Sequence, residues 1–369
     1  MFHQISIIGL GLIGSSIARD VRAHQLAEVI IGVDPDAESL QLLRREDIID
    51  HGSSVVDNRI KNSDLIIIAG PPSSFEKIAH AIKPYLAAGT IISDVGSIKQ
   101  YAIATISPYL PDPTHFVPVH PIAGSEQSGA AAGRKELFQG KRIIMATNEF
   151  TAPVAKEKVA VFWQALGGVV GEMDAATHDI IYAHVSHLTQ IMAYALMLTL
   201  EPYVTNTKSF PFLRLAGSNP ALWVDICFGN RDAVLSALQV AAGITQHFIS
   251  EFQSGEDAGH TSTISEDAAV RLFPRIVAST LISTVQNAEL KHGKRMAPFV
   301  GTGFADMTAI ALEPPEVDIE KISESYRQVA ILLKSFLESL NAMALALEAK
   351  DQDRLQAMFT DAQKIYLAK

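Results

Sequence analysis

Residues 5–23 read ISIIGLGLIGSSIARDVRA. The short run Ile5–Ile8 is rich in β-branched residues, as a buried strand requires. Gly9, Gly11 and Gly14 follow in G-x-G-x-x-G spacing, and Ser15 to Ala23 are helix-compatible. Strand, glycines and helix in this order are the context that gives the spacing its meaning. Gly9 permits a tight turn, Gly11 lets the backbone approach a pyrophosphate, and Gly14 lets the helix pack close to the strand. Leu12 and Ile13, inside the glycine turn, are candidate cofactor contacts with the glycines, and the free N–H groups and partial positive charge of the helix that follows suit phosphate oxygens.

Working outward, EVIIGVD (28–34) is a second strand ending at Asp34. A carboxylate there can accept hydrogen bonds from ribose hydroxyls and repels a 2′-phosphate, so the expected dinucleotide is NAD rather than NADP. The alternation continues through SDLIIIAGPP (63–72), FEKIAHAIKPYL (75–86), GTIISDVGSIKQ (89–100), HFVPVHP (115–121) and KRIIMAT (141–147). It implies an α/β fold, a Rossmann-type doubly wound and mostly parallel sheet. Ligands of such sheets sit at the carboxyl ends of the strands, where Pro71, Ser97 and His120 fall. Pro118 has no N–H for a ladder, so its strand should be short or at an edge. Pro121 restricts the backbone of His120 to extended geometry. Ala123, Gly124 and Ser125 then leave room for a ligand, although a tight turn with an incidental histidine would read similarly.

After about residue 151 the pattern becomes helical, with VVGEM (169–173) as a last strand. The expected division is a nucleotide-binding domain over 1–150, possibly to about 173. An all-helical domain follows over 174–253, with an additional helical region over 264–369. Residues 174–204 read as one long helix, too apolar to stand alone. Further helices are expected at Arg231–Phe252, Glu266–His292, Pro315–Ala349 and Asp351–Leu367, with a loop around 253–263.

The formal charge of −10 argues against a nucleic-acid partner. A single cysteine, Cys227, permits no internal disulfide and fits a reducing cytoplasm. The longest apolar stretch, Ile191–Leu200, is too short to span a bilayer, so no membrane segment is expected. His184 and His187 could share a helix face, but without a carboxylate or a third ligand no metal site is expected.

GLGLIGSS (9–16), SDVGSIK (93–99), HPIAGSEQSG (120–129), LFQGK (137–141), HD at His178, SHL at His187 and FLRLAGSNPALWVDI (212–226) occur in one order. In this the chain resembles the prephenate and arogenate dehydrogenases of tyrosine biosynthesis. The resemblance implies NAD-dependent oxidative decarboxylation of prephenate to 4-hydroxyphenylpyruvate, or of arogenate to tyrosine. It implies that His120 accepts the substrate hydroxyl proton, with Ser97 orienting it. Ser97 could equally cap the following helix. Arg214 would hold the ring carboxylate of a small anionic substrate, and His178 and His187 would line or support the pocket. Many relatives read SHLPH, whereas this chain has Gln190 at the second histidine, which bears on substrate choice. A homodimer through the helical domain is also implied. The alternatives are a dehydrogenase of the β-hydroxyacid type, although no lysine stands where its catalytic residue would be sought, and a non-catalytic NAD sensor.

FVGTGFADMTAIAL (299–312) resembles the family's G-x-G-F-x-D-x-T-R-I-A pattern, with Ala309 in the arginine slot. Residues 264–369 therefore read either as a second, degenerate copy of the helical domain or as a helical extension.

Overall fold

The computed structural model describes residues 1–124, 127–207, 210–257, 266–312 and 326–369. The chain divides into two compact units, Met1–Asp179 and Ile180–Lys369.

In the first unit β1 (Phe2–Ile8), β2 (Ala27–Val33), β3 (His51–Ser53), β4 (Leu65–Ile68), β5 (Ile91–Asp94), β6 (Phe116–Pro121), β7 (Arg142–Met145) and β8 (Val169–Glu172) form one sheet. Its strand order is β3-β2-β1-β4-β5-β6-β7-β8. Every pairing is parallel except β6 with β7. Helices α1 (Leu12–Ala23), α2 (Ala37–Arg45), α3 (Phe75–Ile82), α4 (Lys99–Ile106) and α5 (Pro153–Ala165) connect the strands. The near-continuous isoleucine runs are those of strands covered on both faces. Ile5, Ile7, Leu65 and Ile67 enter one core, while Ile8, Ile66, Ile68 and Ile92 enter the other.

Pro118 corrects one expectation. Strand β6 is neither at an edge nor short: it lies between β5 and β7, and its six residues exceed the four of each neighbour. Its first half pairs with β5, ending at Asp94 opposite Pro118, and its second half pairs with β7, from Val119 opposite Met145. The residue without an N–H stands where the ladder changes partners, so an interior strand tolerates it. His120 then lies beside Ile144 near the carboxyl end of β6.

The run read as one helix is interrupted. It comprises α6 (Ala175–Tyr182), a π-helical turn (Ala183–His187) and α7 (Leu188–Leu200). Such turns widen a helix by one residue and often occur at functional positions. In the second unit a 3-10 segment (Pro211–Gly217) leads into α8 (Pro220–Gly229) and α9 (Arg231–Asp257). Then come α10 (Glu266–His292), α11 (Thr302–Leu312), α12 (Tyr326–Glu348) and α13 (Gln352–Ala368). The loop expected at 253–263 is corrected over its first part, since residues 253–257 continue α9; its remainder and the helix start at Pro315 lie outside the described residues. The regions separated in the sequence share one core, from Leu188 and Tyr194 through Leu238 to Phe336 and Phe359.

By length and composition alone, Arg231–Ser254 and Arg327–Glu348 could cross a membrane, although polar residues interrupt their apolar runs. Their buried positions, Val234, Leu238 and Ala241 on one helix and Val329, Leu333 and Phe336 on the other, repeat at three- and four-residue spacing. That is the one-sided stripe of helices packed on a protein core, and these two pack on each other.

Candidate active site

The glycine turn is built as its spacing requires. Gly9 has φ +97°, and a Cβ there would lie 2.6 Å from the carbonyl carbon of Ala69. A Cβ on Gly14 would lie 1.9 Å from the carbonyl oxygen of Gly9, which holds α1 against the strand end. At Gly11 nothing lies within 4 Å of the same position, so the backbone is open to a close ligand. Leu12 and Ile13 begin α1, which has no acidic residue in its first turn. Asp34 follows β2 and is half-buried. Its Oδ2 accepts from the Leu10 amide at 2.6 Å and its Oδ1 from the Asp36 amide at 2.8 Å. The carboxylate is therefore locked against the turn and aimed by it. Pro71 is exposed at the end of the β4 connection, its carbonyl accepting from Ser74 Oγ at 2.6 Å. An open Gly11, a free helix N-terminus and a fixed carboxylate after β2 fit a dinucleotide.

Farther along the sheet is a buried polar chain. His120 Nδ1 lies 2.9 Å from His178 Nε2, and His178 Nδ1 lies 2.8 Å from Asp179 Oδ1. Both His178 and Asp179 are almost fully buried, while His120 is partly exposed. The same carboxylate accepts the Lys99 amide on Oδ1 at 2.8 Å and the Gln100 amide on Oδ2 at 2.9 Å. Asp179 thus caps α4. This corrects the reading of Ser97 as the cap: the helix starts at Lys99 with Ile98 as its cap residue, and Ser97 is a half-buried residue in the turn before it. Burial would raise the carboxyl of Asp179, but the hydrogen bonds from His178, Lys99 and Gln100 bring it below the ordinary aspartate range. Burial pushes His178 down, against the pull of Asp179, and so favours its neutral form.

The tautomers follow from these contacts. Asp179 can only accept, so His178 carries its proton on Nδ1, and neutral His178 presents a lone pair at Nε2. His120 must then donate through Nδ1, which leaves its basic lone pair on Nε2. Beneath this chain Lys99 Nζ donates to Asp94 Oδ2 at 2.5 Å and to the Val119 carbonyl at 2.7 Å. Neither side chain of this pair is exposed. Burial pushes Asp94 up and Lys99 down, and each restrains the other. The lysine fixes the strand residue next to His120.

The second unit carries the remaining residues. Arg214 lies on the 3-10 segment and its Nε donates to Asp306 Oδ2 at 2.5 Å. Gln190 is buried on α7, and its amide donates to the Leu215 carbonyl at 2.7 Å, tying down the segment that bears Arg214. His187 is buried on the π turn, with Nδ1 3.2 Å from Asn230 Nδ2 and its ring edge-on to Trp223 at 6.3 Å. Trp223 is partly buried against the core. Among the described residues, no group of three or more His, Cys, Asp or Glu could hold a metal.

Sequence reasoning quoted SDVGSIK and HD but passed over Asp94, Lys99 and Asp179 within them. An acid beside a histidine, and an acid followed five residues later by a lysine at a strand end, were the available signals. Their partners, however, are set by tertiary contacts. Ser125 and Glu126 lie outside the described residues.

Two sequence profiles match the chain: the nucleotide-binding domain of prephenate dehydrogenase over residues 17–172, and the prephenate dehydrogenase dimerization domain over 174–257 and 265–361. The chain is 32% identical over 265 residues to a cyclohexadienyl dehydrogenase from Zymomonas mobilis, covering 69% of this chain and 87% of the relative. It is 31% identical over 249 residues to a prephenate dehydrogenase from Bacillus subtilis, covering 64% and 66%. Its fold is similar to a crystal structure of prephenate dehydrogenase from A. aeolicus in complex with hydroxyphenyl propionate and NAD+. There the TM-score is 0.63 at 28% identity, over 70% of this chain and 93% of that one.

Proposed function

The chain belongs to the prephenate dehydrogenase family, and on that premise we propose that it oxidatively decarboxylates prephenate or arogenate. NAD is the cofactor, and when bound it supplies the hydride acceptor. The turn Gly9–Gly14 would hold the pyrophosphate, with Pro71 and Ser97 at neighbouring strand ends and Asp34 on the ribose.

His120 is the proposed proton acceptor for the substrate hydroxyl. The observation that carries this assignment is the His120–His178–Asp179 chain, which fixes the lone pair on Nε2 of His120. A neutral imidazole is a suitable proton acceptor near neutral pH. When His120 takes the proton, its Nδ1–H strengthens toward His178, and the carboxylate of Asp179 stabilises the new charge through that ring. Burial keeps His178 from taking the proton itself. As the C–H hydrogen leaves with its electron pair, the C–O bond becomes a carbonyl. Loss of the ring carboxylate as CO2 then leaves its bonding electron pair in the ring, which becomes aromatic as the carbonyl oxygen takes a proton back to form the phenol.

Arg214 is the proposed anchor of the ring carboxylate, since a guanidinium offers a planar pair of donors. His187 is proposed to line the substrate pocket. Gln190 is assigned to the same site through the turn it secures, and cannot become cationic as a histidine there could. Pairing between helical modules is the protein contact proposed for the second unit. The direct assay follows NADH absorbance with NAD and either prephenate or arogenate. A flat trace with both would overturn the reading, and the ratio of the two kcat/KM values names the substrate.

A further inference from the structure

We infer that the helical unit is a fused pair: residues 174–257 and 265–361 are two copies of one dimerization module, joined in one chain. In this arrangement the second copy supplies Asp306 to position Arg214 of the first.

The dimerization-domain profile matches both stretches, although the chain carries one nucleotide-binding domain. Each stretch opens on a long helical run, Ala175–Leu200 in the first and Glu266–His292 in the second. Each then has a short helical segment, Pro211–Gly217 or Thr302–Leu312, that bears Arg214 or Ala309. The shift that carries Arg214 onto Ala309 also carries Pro220 onto Pro315. It brings the buried stripe of α9 onto that of α12, with Val234 on Val329, Leu238 on Leu333 and Ala241 on Phe336. One gapless register therefore aligns the arginine position, a proline and the core stripe of a long helix.

The copies interlock as partners rather than following one another as separate bundles. Helices α9 and α12, which correspond, pack on each other. The last helix of the second stretch, α13, lies across the first: Phe359 stacks on Tyr194 at 4.3 Å, and Gln363 donates to the Gly217 and Ser218 carbonyls at 3.1 Å.

The polar residues have divided between the copies. In this register Asp306 of the second copy falls on Pro211 of the first, and Arg214 of the first falls on Ala309 of the second. One copy keeps the acid and the other keeps the base, and the two meet at 2.5 Å. Pairing through Nε fixes the plane of the guanidinium, which makes Asp306 a positioning residue. This last step rests on the substrate role proposed for Arg214.

The test has two readouts on the full chain. Light scattering across a dilution series should give the monomer mass of 39.9 kDa. A dimer whose formation protects helices of 180–369 from hydrogen exchange overturns the fused pair. Kinetically, Asp306→Asn should raise KM for the dicarboxylate substrate on the order of tenfold with kcat within about twofold, and Asp306→Glu should restore most of it. The paired variant with Arg214→Gln should be no worse than Arg214→Gln alone. If Arg214→Gln raises KM and Asp306→Asn does not, the positioning role is overturned. If Arg214→Gln has no effect, the substrate role of Arg214 fails first.

Discussion

The carboxylate of Asp179 caps α4 through the backbone amide of Lys99, 80 residues earlier in the chain. With its other contacts it holds a helix N-terminus and His178 at once, and through His178 it sets which nitrogen of His120 is basic.

Replacing Asp179 by Asn should therefore do two things. Loss of the charged cap should cost about 1–2 kcal/mol of stability in denaturant unfolding. With the His178 tautomer no longer fixed, kcat should fall on the order of 10²-fold while KM for NAD holds, as measured in steady-state assays. A purely structural role would leave kcat per folded molecule unchanged.

His120→Asn should lower kcat on the order of 10²–10⁴-fold, the usual range for a general base. Fluorescence titration should find NAD binding nearly intact. Near-normal turnover would mean that another group takes the hydroxyl proton.

Burial holds His178 and His184 below the ordinary imidazole value. The unfolded chain binds protons at about pH 6.5, whereas the folded chain resists them until lower pH. The contribution of these residues to stability is thus complete above about pH 6.5 and declines as pH falls below it. The urea midpoint should drop between about pH 7.5 and 5.5. His184→Gln should flatten that slope, and an unchanged slope would assign it elsewhere.

The two later glycines of the turn should separate stability from binding. In Gly14→Ala the new carbon meets the Gly9 carbonyl oxygen, so the melting temperature should fall by several degrees, roughly the effect of 1–3 kcal/mol. In Gly11→Ala it meets nothing in the protein. That variant should melt near wild type, yet bind NAD on the order of tenfold or more weakly by calorimetry.

Lys99→Met should be among the most damaging single changes, because it leaves Asp94 buried without its cation. A loss of about 3–5 kcal/mol is expected in urea unfolding. The double variant Asp94→Leu/Lys99→Met should recover part of it, and failure to recover would point to the Val119 carbonyl as the more important partner.

What the sequence by itself determined is what depends on neighbours along the chain. The glycine turn, the isoleucine strands, Asp34 after β2 and the switch to helix after residue 151 all follow from local sterics and from side-chain period. The tertiary structure alone decided who meets whom. Pro118 hinted at an edge because a missing donor is a local fact, but only the assembled sheet shows that the ladder changes partners there. Ser97 looked like a cap because it precedes a helix, yet the cap came from Asp179. The residues from 264 onward left two readings open, and Asp306 gained a partner only when the chain brought it to Arg214. A hydrogen bond or ion pair is set by position in space, so pairs far apart in sequence leave no periodic trace from which they could be read.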